Sequence, residues 1–139
     1  MYSYGRIVAY AKLTGAHGLG GVVRFYQRPG GILVEAIVKG FHDDGFHGFH
    51  IHTGKAGGHY NPTDKPHPNH AGDLPPLLSA GGRAYTTVLT NRFSIREIIG
   101  RTVVIHENPD DFHTQPSGNP GDPVAIGTIQ RFLQKKQDL

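Results

Sequence analysis

Gly45-Phe46-His47-Gly48-Phe49-His50-Ile51-His52 is the stretch whose reading decides the fold. Phe46 to His52 reads as a strand, and alternation puts His50 and His52 on one face, with their rings close together. Three earlier segments read the same way. Tyr4 to Lys12 alternates, with Ile7, Ala9 and Ala11 on one face and Val8 and Tyr10 on the other. Gly21 to Gln27 is β-branched and aromatic, and Arg28-Pro29-Gly30-Gly31 makes a tight turn. Gly31 to Lys39 alternates again, with Ile32, Val34, Ala36 and Val38 facing one way, so the pair reads as a hairpin. Downstream, Arg83 to Leu89, Phe93 to Ile95, Arg101 to Glu107 and Val124 to Phe132 read as further strands. No amphipathic helix stands out. Two long loops are expected, residues 53–81 and 108–123. About eight short antiparallel strands predict an all-β, immunoglobulin-like Greek-key barrel or sandwich, with residues 1–139 as a single domain.

Composition narrows the function. The chain has 139 residues, no cysteine and 10 histidines. Disulfides, thiolate zinc sites and cysteine nucleophiles are excluded. No run of about 18 apolar residues offers a membrane-spanning helix. The net charge is +3, and the basic residues are scattered, with Lys135-Lys136 the only adjacent pair. Nucleic-acid binding would need a clustered basic face, so a mild field favouring small anions is the better reading. No export-signal pattern opens the chain. With the missing cysteines this favours the cytoplasm, a mature extracytoplasmic chain being the alternative.

A loop as long as 53–81, without periodicity, needs something to organise it. His59, His67, His70 and Asp73 lie within it. Three imidazoles and a carboxylate make a full tetrahedral set for zinc. The bland alternative is a solvated polar loop. Taken alone, His50 and His52 read equally as surface histidines beside a loop, and His106 as a core histidine bonded to backbone.

The motifs together resemble the copper–zinc superoxide dismutase family. The residues that carry the resemblance are 45–52, Gly58-His59-Tyr60-Asn61-Pro62, and His70-Ala71-Gly72-Asp73-Leu74-Pro75. Residues 98–107, Asp110-Asp111, Gly118-Asn119 and Gly127 follow in the same order. The resemblance implies copper on His50, His52, His59 and His106, and zinc on His59, His67, His70 and Asp73. His59 would be the bridging ligand and the proton relay of superoxide disproportionation. Asp110 matches a carboxylate that ties a copper ligand to a zinc ligand. His47 matches a structural histidine bonded to backbone. His17, His42 and His113 match no ligand position and read as surface residues. A copper carrier or buffer with little turnover is the alternative function. Superoxide is the implied small-molecule partner, with a homodimer allowed and no membrane or nucleic acid expected.

Three departures from the family stand out. Only residues 53–58 separate His52 from His59, and Ile126 stands where a disulfide cysteine is expected. Pro123, next to Asp122, stands where the family has an arginine that orients superoxide. Arg83, Arg101 and Arg131 are the candidate substitutes. The 108–123 loop holds no lysine or arginine, which predicts a slower, less salt-sensitive enzyme.

Overall fold

The computed structural model describes residues 4–133, so Lys135-Lys136 lies outside the described residues. Eight antiparallel strands follow one another: β1 (Ile7–Gly15), β2 (Gly20–Arg28), β3 (Gly31–Lys39), β4 (Gly45–His52), β5 (Asp73–Ser79), β6 (Arg83–Thr90), β7 (Thr102–His106) and β8 (Pro123–Arg131). Their order across the sheet is β5-β4-β7-β8-β1-β2-β3-β6. The Ala80–Arg83 bridge joins the two end strands through a tight turn, so the sheet is a nearly closed Greek-key barrel. The β2–β3 hairpin turns at Arg28 opposite Gly31, where the sequence placed it.

The alternation read from the sequence is the alternation of burial. Ala9, Ala11 and Leu13 of β1 and Ile32, Val34, Ala36 and Val38 of β3 point into the core. There they meet Phe25, Phe49, Ile51, Val103, Ile105 and Ile129. Full burial of one aliphatic or aromatic side chain is worth about 1.5–3 kcal/mol, so this set carries the stability of the barrel. Among the described residues, no helix is long and apolar enough to cross a membrane.

Two elements correct the sequence reading. The expected loop 53–81 contains β5, an edge strand paired with β4. Pro75 and Pro76 hid it, because proline inside a run argues against a strand. Here they fall in the register shift between His47 and Phe49, where no ladder hydrogen bond is needed. The expected strand Phe93 to Ile95 is instead the entry to a one-turn helix, α1 (Ile95–Ile98). The signal was present as Ser94-x-x-Glu97: the Ser94 N–H donates to Glu97 Oε1 at 2.9 Å. The first strand also runs later than read, ending at Gly15 rather than Lys12.

Candidate metal centre

Strand β4 pairs with β7 through Phe49–Ile105, His50–Val104 and Ile51–Val103. Phe49, Ile51, Val103 and Ile105 all turn into the core. Alternation therefore sends His50, His52 and His106 to the outer face of the same ladder. Ring centroids are 5.4 Å apart for His50–His106, 5.5 Å for His52–His106 and 6.4 Å for His50–His52.

His59 joins this group from the next turn. Residues 53–58 close a tight hairpin in which the Thr53 N–H donates to Gly58 O at 2.9 Å and His52 pairs with His59. The Tyr60 N–H then donates to Ile51 O, and the Gly72 N–H to Tyr60 O. Where the family has a disulfide, backbone hydrogen bonds stitch this segment to β4. Ile126 pairs with Val104 and Thr14 in the β8 ladders. The His59 and His50 rings lie 4.0 Å apart.

Asp73, the first residue of β5, lies opposite His50. Its Oδ1 is 2.7 Å from His59 Nδ1. Its Oδ2 is 3.0 Å from His67 Nδ1, 3.2 Å from His70 Nδ1, and accepts the His70 N–H at 2.9 Å. Asp110 ties the two groups together: Oδ2 lies 2.7 Å from His50 Nε2 and Oδ1 2.7 Å from His67 Nε2. Burial opposes ionisation of both aspartates, yet the facing imidazoles hold each carboxyl below its ordinary range. Gln115 clamps the main chain of His67 from both sides, at 2.9 and 2.8 Å. Gly118 lies over this junction with φ +79, and a Cβ there would collide with Asp110 Oδ1.

The outward hydrogen bonds of the rings fix what faces inward. His52 Nδ1 donates to Gly57 O at 2.9 Å, and His106 Nδ1 to Gly121 O at 3.0 Å. His50 Nε2 donates to Asp110. A neutral imidazole has one N–H, so His50 Nδ1, His52 Nε2 and His106 Nε2 are lone pairs. Two of them, on His52 and His106, face each other at 3.4 Å. His50 Nδ1 and His59 Nε2 are buried with no partner. Protons do not resolve this crowding. Burial pushes His50 down to about 3 and His52 down to about 4, and lowers His106 as well. Orphaned buried acceptors are rare in folded proteins, and four convergent imidazole nitrogens suit a transition-metal cation.

Ligand atoms of His50, His52, His59 and His106 lie within 4.8 Å of one another. So do those of His50, His59, His67 and Asp73. The second group takes His50 in place of His70. His70 lies at the edge of that group, its Nδ1 3.2 Å from both His59 Nδ1 and Asp73 Oδ2. The six histidines and Asp73 singled out in the sequence, with Asp110 behind them, meet in one place.

The remaining assignments divide. His47 Nδ1 donates to His106 O at 2.9 Å, the backbone role expected of it. His17, His42 and His113 are exposed, as read. The arginines offered as stand-ins are engaged elsewhere or point to solvent. Arg101 lies 4.1 Å over the Tyr60 ring and donates from Nε to Glu97 O. Arg83 sits opposite Lys39, and Arg131 opposite Ala9. Pro123 is exposed and pairs with His106 at the start of β8. Two useful cations were missed. Arg92 donates from Nη1 to Pro68 O and His70 O, bracing the loop of His67 and His70. Lys55 is exposed on the 53–58 turn, three residues along the chain from His52, the one partly exposed member of its group. Neither had a signal beyond position between ligands.

An all-β barrel bearing two adjacent imidazole-rich sets on one flank belongs to the class of transition-metal proteins. The family model described as copper/zinc superoxide dismutase matches residues 19–129, and the chain belongs to that family, whose metals are copper and zinc. It is 36% identical over 147 residues to Superoxide dismutase [Cu-Zn] A of Xenopus laevis, covering 88% of this chain and 97% of that protein. It is 33% identical over 159 residues to Extracellular superoxide dismutase [Cu-Zn] of Onchocerca volvulus, covering 93% and 78%. It is also 32% identical over 145 residues to the Copper chaperone for superoxide dismutase of Mus musculus, covering 88% of this chain and 53% of that protein.

Proposed function

We propose that this protein is a copper–zinc superoxide dismutase, converting two superoxide ions and two protons to dioxygen and hydrogen peroxide. His50, His52, His59 and His106 would hold copper, and His59, His67, His70 and Asp73 would hold zinc. The observation that carries this reading is the division of His59: Nδ1 faces Asp73 and His70, while Nε2 lies buried and unpartnered on the other side. One ring thus serves both sets. Copper on imidazoles supplies one-electron cycling between Cu(II) and Cu(I), which takes an electron from one superoxide and gives one to the next.

The chain's own residues do the rest. His59 Nε2 holds a proton in one half of the cycle and returns it in the other, while Asp73 keeps the ring in line through Nδ1. Asp110 fixes the tautomers of His50 and His67 together, so movement in one set is felt in the other. The backbone carbonyls of Gly57 and Gly121 hold His52 and His106 in the tautomer that leaves Nε2 free. Without an arginine at position 123, Lys55 is the cation placed nearest His52 in the chain, and guidance of the anion is weaker than in the family.

A second reading, a copper-handling protein with little turnover, is favoured by Pro123 and by the similarity to a copper chaperone. The test is superoxide removal by protein loaded with one copper and one zinc, followed by inhibition of cytochrome c reduction. The dismutase reading expects activity well above an equal amount of free copper. Activity no better than that control leaves the carrier reading in its place.

A further inference from the structure

Two imidazoles outside the metal centre stand together at the pole of the barrel. His17 lies in the turn between β1 and β2, and His42 in the link between β3 and β4. Both are exposed, yet their ring centroids are 6.4 Å apart. That equals the separation of His50 and His52, two rings whose ligand atoms fall in one candidate metal group. His42 Nε2 donates to the main-chain oxygen of His17 at 3.3 Å, which leaves His42 Nδ1 as a lone pair. The same device, a ring N–H fixed on a backbone carbonyl, orients His52 and His106.

His17 also holds φ 56, the left-handed region that costs a non-glycine residue. Both His17 and His42 line a cavity of about 490 Å³ whose lining also includes Asp43, Glu107 and His47. Asp43 itself pairs with His47 at 3.2 Å. Paired exposed imidazoles suit a borderline divalent ion rather than calcium or magnesium, which prefer all-oxygen shells.

We propose that His17 and His42 form an additional, solvent-open site for a divalent transition-metal ion, Zn(II) or Cu(II), with water filling the other positions. The two imidazoles come from separate elements. A bound ion would therefore clip the β1–β2 turn to the β3–β4 link.

The test uses the fully metallated protein and Zn(II) in equilibrium dialysis. Wild type is expected to bind one more ion than either His17→Gln or His42→Gln. The readout is a difference, so it stands whatever number of ions the main centre holds. Each variant should weaken that ion about tenfold or more, and leave the Cu(II) spectrum unchanged. In wild type, imidazole ¹⁵N resonances of His17 and His42 should shift with Zn(II), while His113 should not. Equal stoichiometry in wild type and both variants overturns the proposal, as does a shift confined to His113.

Discussion

The strand-borne and loop-borne halves of the metal centre meet the same demand in opposite ways. His50, His52 and His106 are set by the β4–β7 ladder, with their backbone fixed by pairing and core burial on the reverse side. Their inward nitrogens converge and find no donor. His67 and His70 sit on a loop, and their Nδ1 atoms turn to a carboxylate of Asp73 that also faces His59. The loop half thus carries its own counter-charge and can share protons. The strand half is held rigid around an unmet need. A rigid set of imidazole nitrogens suits an ion that changes oxidation state, and a set that includes a carboxylate suits one that does not.

The sharpest way to break the comparison is His106→Ala, which removes one strand-borne imidazole and none from the loop. Superoxide removal should fall to the level of free copper, while Co(II) still binds the loop set with a tetrahedral visible spectrum. Loss of Co(II) binding as well would mean the halves fold as one. Next comes Asp110→Ala, which frees His50 and His67 at once. Zinc affinity should drop roughly 10–100-fold, read by competition with a chelating dye, the usual scale for losing a carboxylate behind a ligand. Gly118→Ala should cost about 1–3 kcal/mol in thermal unfolding, because a side chain at φ +79 is strained and meets Asp110. An unchanged midpoint would show that the 108–123 loop is free to step aside.

Acid should act on the strand half. Burial holds His50 at about 3 and His52 at about 4, against about 6.5 in the unfolded chain. The unfolded chain therefore binds protons that the folded one refuses. Their contribution to stability is complete above pH ~6.5 and fades as pH falls through the 6.5-to-3 window. Metal-free protein should lose denaturant midpoint steadily over that range. A flat profile would mean that water reaches the rings. The smallest expected effect is that of salt. No cation lies on the 108–123 loop, so the rate should change little between low and physiological ionic strength. Lys55→Gln should remove most of what dependence there is.

Much of this was legible in the sequence, for identifiable reasons. Period-two burial wrote β1 and most of β3 openly, because one face of each meets the core, whereas β4 is buried on both faces from His47 to Ile51 and was legible through its aromatic and histidine run. The clustering of His59, His67, His70 and Asp73 was legible because imidazoles and a carboxylate recur at motif spacing through an otherwise polar loop. The edge strand β5 was hidden, since its two prolines only make sense once the bulge opposite them is seen. The one-turn helix was hidden by its length, although Ser94 and Glu97 spelled its cap. Arg92 and Gln115 could not be found at all. Their work is on backbone atoms of the His67–His70 loop, and no residue pattern reports which carbonyl a distant side chain will reach.

The shared ring is the centre of the proposal, and one measurement reaches it directly. The electron paramagnetic resonance spectrum of the copper-loaded protein should be recorded with zinc present and then with zinc removed. If His59 ligates through both nitrogens, stripping zinc from the Nδ1 side must alter the field at Nε2, and the copper g and hyperfine values will shift. A copper spectrum identical in both states would contradict the bridge and leave two independent sites.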